Sequence, residues 1–349
     1  MQVLLRKCDC YTNALLMQFG HNNNMTANTS VTSKSWDKYW QGTSDKGAFT
    51  SGGVSHPAIR AFWTEFFNSA KQNYNHPKIL DIASGNGAVI ESALEAFDKI
   101  PNELYSLDVS EAAINNIHNR FPKVKGIVSN ANAIPRESAS FDIVTSQYGI
   151  EYAGHDAILE AARLLADDGS LVLLMHCDAS SIHLECQQSL NAIERTQKSG
   201  FVQLAIEMFD AGFKSVRGAD RKPYEQSSKK LAPAILELES IMREYGPHVA
   251  GDTISRLYND VGDIHQRIQH YEPADVLAWL NKMDEELTEY AKRMASMDLS
   301  AIDTSKFELI KEDLAQREFT IQTADKLYIP GDELPMAWLL IAKKQVQSL

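Results

Sequence analysis

The stretch "KILDIASGNGAVI", residues 78–90, decides the fold of this chain. An apolar run ends in the acid Asp81, Gly85 and Gly87 stand two residues apart, and a second apolar run follows. Glycine lets the backbone approach a ligand closely, and the first turn of a helix offers N–H groups without intrahelical partners. A strand, a glycine turn and a helix therefore predict a binding loop for an anion or a nucleotide. The loop alone does not say which ligand it binds.

Apolar strands alternate with helices on the C-terminal side of this loop. Strands that are apolar throughout indicate a parallel sheet with helices on both faces. Ligands of such sheets bind at the carboxyl ends of the strands, so the residues that follow each strand are candidates for a site. The turn sequence Asp167-Asp168-Gly169 is expected to precede the fifth strand. The five predicted strands cover residues 78–82, 104–110, 124–131, 141–149 and 170–177.

The chain after residue 178 follows a different pattern. The alternation stops, and residues up to about 315 favour helices. The clearest helix, 273–297, carries an apolar residue every three or four positions, which indicates a face buried against the main domain. Two strands then return in "EFTIQTADKLYI" and "MAWLLIAKKQ", separated by a turn-rich link. The helical stretch is therefore interpreted as an insertion near the end of the sheet.

Two ligands compete for the glycine loop. A dinucleotide site requires the pattern G-x-G-x-x-G, and Ile90 stands where the third glycine should be. The alternative is S-adenosylmethionine, which has no phosphates. An acid near the loop suits its ammonium group, and an acid after the second strand can accept hydrogen bonds from both ribose hydroxyls.

Five motifs, taken in order, resemble those of the class I S-adenosylmethionine-dependent methyltransferases. "DIASGNG" resembles their first motif, with Ala83 in the first glycine position, and "LYSLDVSEAAI" resembles the second, with Asp108 in the ribose-binding place. "SNANAIP" is similar to the third, with Asn130 replacing the usual acid. "SFDIVTSQYGIEYA" and "EAARLLADDGSLVLLMHC" are similar to the fourth-strand motif and to the helix and strand after it. The resemblance covers residues 76–178 and returns at 315–345.

The resemblance implies an α/β fold, a doubly wound, seven-stranded, Rossmann-like methyltransferase sheet with a helical insertion between strands 5 and 6. It also implies a division of the chain into five parts. These are a poorly ordered tail (1–34), an N-terminal helical lid segment (35–75), the S-adenosylmethionine-binding core (76–178), a helical insertion that caps an acceptor pocket (179–315) and the closing strands (316–349).

The cofactor implied by the resemblance is S-adenosylmethionine. Aromatic rings cluster in the lid segment, and a ring face attracts a cation such as a sulfonium, although these rings could instead only dock the tail on the body. The residues assigned to cofactor binding lie in the loop, after strands 2 to 4, and in the lid: Asp81, Ala83, Ser84, Gly85, Gly87, Asp108, Val109, Asn130, Ala131, Asn132, Gln147, Tyr39 and Trp40.

Methyl transfer is an in-line displacement, for which an enzyme supplies alignment and a site without water. A base is needed only if the acceptor arrives protonated. His176, at the end of strand 5, and Tyr148 and Glu151, after strand 4, are the catalytic candidates, and a structural histidine is the alternative for His176. His183 and Cys186 do not complete a ligand set for a metal, so no metal is expected.

Composition excludes several classes of protein. The net charge is -12, which argues against nucleic acid as a substrate because a nucleic-acid site needs a cationic surface. No apolar run approaches the roughly 20 residues that span a bilayer, so no membrane association is expected. The N-terminus lacks the pattern of a secretory signal, and four cysteines do not make a disulfide framework in a chain of 349 residues. We therefore expect a cytoplasmic protein with reduced thiols.

The sequence thus predicts an S-adenosylmethionine-dependent methyltransferase that acts on a small molecule, at an oxygen, nitrogen or sulfur atom. One alternative is a regulator that binds the cofactor without methylating anything. A nicotinamide-dependent oxidoreductase and methylation of a macromolecule are the others. The oligomeric state is open, and a homodimer is compatible with the sequence.

Overall fold

The structure is a computed structural model that describes Trp36, Asp37, Trp40 and residues 56–98, 102–329 and 331–346. The tail expected at 1–34 and the lid residue Tyr39 lie outside the described residues.

Seven strands of the described residues form one sheet in the order β3-β2-β1-β4-β5-β7-β6. The first five strands are parallel to one another, and β7 is antiparallel to both β5 and β6. The predicted α/β class with a seven-stranded, doubly wound sheet is confirmed. The strands are β1 (Lys78–Ile82), β2 (Glu103–Asp108), β3 (Lys125–Val128), β4 (Phe141–Gln147), β5 (Leu165–Met175), β6 (Phe319–Tyr328) and β7 (Pro335–Lys344).

Helices cover both faces of the sheet and fill the chain between β5 and β6. A 3-10 turn, Ile150–Ala153, follows β4 directly. The α-helices of the described residues are α1 (Pro57–Ala70), α2 (Ala88–Ala96), α3 (Glu111–Arg120), α4 (His155–Arg163), α5 (Ser181–Lys198), α6 (Phe201–Val216), α7 (Lys222–Tyr245), α8 (Thr253–Gln266), α9 (Pro273–Ser300) and α10 (Thr304–Gln316).

Strand β5 begins at Leu165, earlier than the start at residue 170 that the sequence predicted. Asp168 has a φ of 63°, and the register between β4 and β5 shifts at this point. A Cβ atom at Gly169 would lie 2.7 Å from the carbonyl oxygen of Ala166. Asp167, Asp168 and Gly169 therefore form a bulge inside the strand instead of a turn before it. The sequence does not distinguish the two structures, because both can contain a residue with positive φ.

Packing separates α10 from the helices that precede it. Helices α5 to α9 enclose a core of their own, with Phe209, Leu238 and Leu280 at its centre. By contrast, Phe307 of α10 is buried on the sheet and stacks on Trp338 of β7, with ring centroids 4.1 Å apart. The apolar face predicted for 273–297 is buried, but most of it packs against the neighbouring helices and not against the sheet. The division of the chain into domains stays a prediction.

Candidate cofactor site and catalytic residues

The glycine loop runs from the end of β1 to the start of α2 in a left-handed conformation. Ala83, Gly85 and Gly87 have φ values of 55°, 51° and 82°. The N–H of Gly87 donates to the carbonyl of Ser84 at 2.8 Å, which closes a tight turn. Ser84 also ties the loop to β2, since its hydroxyl accepts from the N–H of Leu107 at 3.1 Å. The loop is therefore fixed against the carboxyl end of the sheet.

Asp108 ends β2 and bridges this loop to the start of α3. One carboxylate oxygen accepts from the N–H of Gly85 at 3.0 Å, and the other accepts from the N–H of Ser110 at 2.9 Å. Ser110 caps α3 by accepting from the N–H of Ala113. Burial raises the pKa of Asp108 to about 6, the two N–H groups oppose that rise, and the charge of Asp37 adds to it.

Asp81 is the second buried acid of the site. Its carboxylate accepts from the hydroxyl of Thr145 on β4 at 2.9 Å, and burial raises its pKa to about 7. A positively charged ligand near either acid would favour its ionised form and bring the pKa down again. Thr145 was missed from the sequence, although a polar residue in an otherwise apolar strand was the available signal.

The described residues of the N-terminal segment lie across the carboxyl edge of the sheet. Asp37 accepts from the hydroxyl of Ser110 at 2.5 Å, and the carbonyl of Trp40 accepts from the side-chain amide of Asn116 at 2.8 Å. Trp36 packs edge to face on Tyr152, with centroids 5.5 Å apart. These contacts join the segment to α3 and to the turn after β4. Its role as a lid stays a proposal.

Trp40 lies directly against the glycine loop. A Cβ atom at Gly85 would lie 2.6 Å from the indole atom Cζ2, and the φ of Gly85 disfavours other residues. We therefore expect Gly85→Ala to weaken binding of S-adenosylhomocysteine by about tenfold or more, a loss of at least about 1.4 kcal/mol.

Calorimetric titration measures this loss. Adding Trp40→Ala to the Gly85→Ala variant separates its two causes, which are the clash with the indole and the unfavourable backbone conformation. If the clash with the ring dominates, the double variant binds more tightly than Gly85→Ala. Equal affinities would show that the backbone conformation alone is responsible, and an unchanged affinity for Gly85→Ala would contradict the expected role of the loop.

The predicted residues after β2 and β3 lie along the same edge of the sheet. Val109 is partly exposed, and Ala131 is buried. The side-chain oxygen of Asn130 accepts from the N–H of Asn132 at 3.0 Å, and the amide of Asn132 donates to the carbonyl of Ala153 at 2.9 Å. These contacts connect the loop after β3 to the turn after β4. Cofactor contacts of these residues stay predictions.

Gln147, at the end of β4, has a partner that the sequence did not indicate. Its side-chain oxygen accepts a hydrogen bond from the indole N–H of Trp63, which is buried in α1. The assignment of Gln147 to the cofactor stays a prediction, with its side-chain oxygen engaged by α1 in this structure.

The three catalytic candidates form one buried cluster. Tyr148 stacks on His176 with ring centroids 4.6 Å apart, and Tyr152, which sequence reasoning missed, meets the same imidazole edge to face. Glu151 accepts from the backbone N–H of His176 at 2.8 Å through Oε1. Within the described residues, Oε2 of Glu151 and Nδ1 of His176 have no hydrogen-bond partner. The cluster therefore holds two unused polar atoms next to the carboxyl edge.

Burial moves the pKa values of this cluster in opposite directions. It raises the pKa of Glu151 to about 7 and lowers that of His176 to about 3, because burial disfavours the charged form of each. The imidazole nitrogen Nε2 lies 4.0 Å from the carboxylate of Glu151, too far for a hydrogen bond. Burial therefore favours the neutral form of both side chains.

The raised pKa of Glu151 predicts a pH-dependent stability. The folded chain binds this proton more tightly than the unfolded chain, so the carboxyl group contributes stability at low pH that is lost as pH rises through about 7. Glutamine does not titrate. The free energy of unfolding of Glu151→Gln, relative to the wild type, should therefore rise between pH 5 and pH 8, by up to about 3 kcal/mol.

Urea denaturation at several pH values measures this difference. Glu312→Gln, at an exposed position, is the control. Its free energy of unfolding, relative to the wild type, should stay nearly constant with pH. A constant difference for Glu151→Gln as well would mean that its carboxyl group is not desolvated.

The other histidine and cysteine singled out from the sequence have structural partners. His183 accepts from the N–H of Ala179 at 3.0 Å, and its Nε2 lies 2.9 Å from the carboxylate of Asp298. The thiol of Cys186 donates to the carbonyl of Met294. Over the described part of the chain, no group of three His, Cys, Asp or Glu side chains is arranged to bind a metal ion.

Comparison with known proteins places the glycine loop and strands β1 to β4 in one family. Residues 79–169 match a family model described as a methyltransferase domain. This region is a class I S-adenosylmethionine-dependent methyltransferase domain. S-adenosylmethionine is accordingly the cofactor of the domain.

Curated relatives match part of the chain. A ubiquinone/menaquinone biosynthesis C-methyltransferase of Campylobacter jejuni is 40% identical over 103 residues, which are 28% of this chain and 43% of the relative. One of Rickettsia prowazekii is 33% identical over 126 residues, which are 33% of this chain and 50% of the relative. The chain thus covers half or less of the length of these relatives. An uncharacterized methyltransferase of Schizosaccharomyces pombe is 25% identical over 206 residues, 52% of this chain and 79% of the relative.

Solved structures with a similar fold include two methyltransferases. The plantazolicin methyltransferase BpumL, in complex with a pentazolic desmethylPZN analog and S-adenosylhomocysteine, has a TM-score of 0.45 and 11% identity, covering 91% of this chain and 96% of that chain. The methyltransferase domain of the citrinin polyketide synthase has a TM-score of 0.33 and 20% identity, covering 35% of this chain and 36% of that chain.

The residues of the site are compatible with S-adenosylmethionine. Asp81 and Asp108 are buried acids with raised pKa values, which a ligand bearing an ammonium group and hydroxyl donors would satisfy. Gly85 lets the indole of Trp40 pack directly on the loop, since a Cβ atom there would lie 2.6 Å from the ring. The aromatic ring beside the loop suits a sulfonium. The donors and acceptors of the domain therefore agree with the cofactor of its family.

Proposed function

We propose that this chain is an enzyme that transfers a methyl group from S-adenosylmethionine to a small molecule. The observation that carries the proposal is the link between Asp108 and the N–H of Gly85, which brings an acid and a glycine loop to one place inside a methyltransferase domain. The Campylobacter and Rickettsia relatives are named for ubiquinone and menaquinone biosynthesis, which supports a small-molecule acceptor.

The cofactor, when bound, supplies an electrophilic methyl group. In this proposal Asp108 accepts hydrogen bonds from its hydroxyls, and Asp81 lies near its ammonium group. Trp36 and Trp40, which lie across the carboxyl edge, exclude water from the site. Exclusion of water and alignment of the acceptor are the main contributions of the protein to a displacement reaction.

Glu151 is a stronger candidate for a base than His176. The pKa of Glu151 is raised to about 7, so its carboxylate can take a proton from an acceptor near neutral pH. The pKa of His176 is lowered to about 3, which makes its neutral imidazole a weak base. Tyr148 stacks on His176 and supports the position of its ring. These roles are proposals for the three catalytic candidates.

Other expectations from the sequence stay predictions. They are that nucleic acid is not a substrate and that the chain could form a homodimer. A cytoplasmic location is likewise still an expectation. Along the described part of the chain, no helix has the length and apolar character that crossing a membrane requires.

Thermal unfolding with four separate ligands tests the proposal first. S-adenosylmethionine and S-adenosylhomocysteine should stabilise the chain, by about 2.7 kcal/mol at 100 times the dissociation constant, and raise Tm by about 2–4 °C. NAD and NADP should leave Tm unchanged. Stabilisation by a nicotinamide cofactor alone would support an oxidoreductase instead.

Turnover separates an enzyme from a regulator that only binds the cofactor. With a broad panel of small-molecule acceptors, an enzyme forms S-adenosylhomocysteine above the rate without acceptor. Tight cofactor binding without product from any acceptor would favour the regulator. Product formed only with a protein or nucleic acid would favour methylation of a macromolecule.

A further inference from the structure

A row of polar side chains crosses the apolar sheet beneath the glycine loop. Ser106 of β2, Asp81 of β1 and Thr145 of β4 occupy the same register position on three neighbouring parallel strands. Side chains at one register position of adjacent strands point to the same face of a sheet, so these three lie side by side. All three residues are buried. Buried polar groups cost stability unless they are paired, so the contacts of this row decide what it contributes.

The two hydroxyls beside Asp81 differ in their contacts. The hydroxyl of Thr145 lies 2.9 Å from the Asp81 carboxylate and 3.4 Å from the carbonyl of Leu80. A hydroxyl has one proton, so Thr145 donates in the shorter contact, to the carboxylate. The hydroxyl of Ser106 has no hydrogen-bond partner among the described residues. Asp81 thus has a donor on one side and an unpartnered hydroxyl on the other.

The hydrogen bond from Thr145 favours the charged form of Asp81. Burial raises the pKa of this carboxyl group, and the hydroxyl of Thr145 opposes that rise most strongly. The hydroxyl of Ser84 also opposes the rise in pKa, and the negative charge of Asp108, at the end of β2, adds to it. A donor on one carboxylate oxygen also fixes the orientation of the group. Thr145 therefore acts on both the charge and the direction of Asp81.

Asp81 is joined to the cofactor loop through its backbone. Its carbonyl accepts from the hydroxyl of Ser84 at 2.7 Å, and Ser84 closes the tight turn of the loop. We infer that Thr145 is a positioning residue, whose hydroxyl holds the Asp81 carboxylate in the orientation and the ionised form that bind the ammonium group of the cofactor. The inference rests on the proposed function.

Replacing Thr145 by valine tests this role, because valine keeps the branched shape and loses the hydroxyl. At about pH 6, binding of S-adenosylhomocysteine should weaken about tenfold, since a hydrogen bond to a charged acceptor is lost. Thr145→Ser keeps the hydroxyl and should bind within about threefold of the wild type. Calorimetric titration of the full chain measures these affinities. Thr145→Ala gives the same comparison with Thr145→Ser should the valine variant not fold.

Ser106→Ala is the matched control for Thr145→Val. It removes a buried hydroxyl at the same register position, from the strand on the other side of Asp81. This hydroxyl has no partner among the described residues, so the affinity should stay within about threefold of the wild type. An equal loss in the two variants would mean that any change in the row disturbs the loop, which would overturn the inference.

The pH dependence of binding separates positioning from a general structural defect. Without the hydroxyl of Thr145, Asp81 keeps its proton to a higher pH. The affinity of Thr145→Val should therefore reach its plateau about one pH unit above that of the wild type. The tenfold loss should shrink as the pH rises to about 8.5. A structural defect would instead lower the affinity by the same factor at every pH.

A ligand without an ammonium group provides a second test. 5′-Deoxy-5′-methylthioadenosine shares the adenosine and the thioether of S-adenosylhomocysteine and lacks its amino acid end. Its affinity for Thr145→Val should stay within about threefold of that for the wild type. Equal losses for the two ligands would overturn the inference. A loss that does not change with pH, or a Thr145→Ser variant as weak as Thr145→Val, would do the same.

Failure of this inference can be told from failure of the proposed function. The wild type is titrated with S-adenosylhomocysteine over the same range of pH. Tight binding by the wild type and an undiminished affinity in Thr145→Val would reject the role of Thr145 alone. Absence of S-adenosylhomocysteine binding by the wild type at every pH would reject the proposed function, and the inference falls with it.

Discussion

Replacing Asp108 by alanine should weaken binding of S-adenosylhomocysteine by about a hundredfold or more. Hydrogen bonds to a charged acceptor contribute about 1.5–3 kcal/mol each, and two ribose hydroxyls are expected to donate to this carboxylate. The substitution also removes the acceptor that fixes the N–H of Gly85. Calorimetric titration of the wild type and the variant gives the loss directly. The fold should survive, because a buried carboxylate with a raised pKa is a costly group to retain.

Two further variants sharpen this test. Asp108→Asn keeps one oxygen acceptor and loses the charge, so its affinity should fall between those of the wild type and Asp108→Ala. Glu111→Ala removes an exposed acid from the first turn of the neighbouring helix and should leave the affinity within about threefold. If Asp108→Ala bound as tightly as the wild type, the second motif would be aligned with the wrong residue.

Replacing Trp63 by alanine should cost about 3–5 kcal/mol of the free energy of unfolding. The indole is 1% exposed, stacks on Phe67 with centroids 5.8 Å apart, and lies among the side chains that join α1 to the sheet. Its removal leaves a cavity and also takes the donor from the buried oxygen of Gln147. Urea denaturation measures the loss as a lower midpoint with an unchanged slope.

Trp279→Ala is the matched control for Trp63. Trp279 is only partly buried on α9, so its removal should cost less than half as much. Trp63→Phe keeps most of the apolar volume and removes the N–H donor, so the loss that it shows is mainly that of the hydrogen bond. Equal losses for the two alanine variants would mean that α1 is not part of the cooperative core.

The parallel strands of the sheet and the position of Asp108 could be predicted because both follow from local pattern. Continuous apolar runs give parallel strands, and the acid that ends the second run must lie at the carboxyl edge. The contact between Asp37 and Ser110 could not be predicted in this way, since the two residues are 73 positions apart. Their meeting depends on how the N-terminal segment packs on the sheet, which no periodicity specifies.

The environment of Glu151 could not be predicted from the local sequence pattern. Its position after the fourth strand was visible in the sequence, and its side chain was named as a catalytic candidate on that basis. Glutamate is rarely buried without a partner, so nothing in the sequence indicated a buried carboxylate with one oxygen that has no hydrogen-bond partner among the described residues. Tyr148 and Tyr152 lie beside Glu151 in the sequence, but His176 follows β5 and meets them only in the folded chain.

The pairing of β5 with β7 has a consequence for how this chain folds and how it can change. These two strands are neighbours in the sheet, yet roughly 160 residues separate them in sequence. Closing such a loop costs conformational entropy, and this cost grows only as the logarithm of the loop length. Doubling the intervening helical segment would add only about 0.6 kcal/mol. The last two strands must nevertheless wait for that long loop to close, which is a slow step for a folding chain. The helices between β5 and β6 are thus free to lengthen or shorten at little cost in stability, while the rate at which the sheet is completed depends on them.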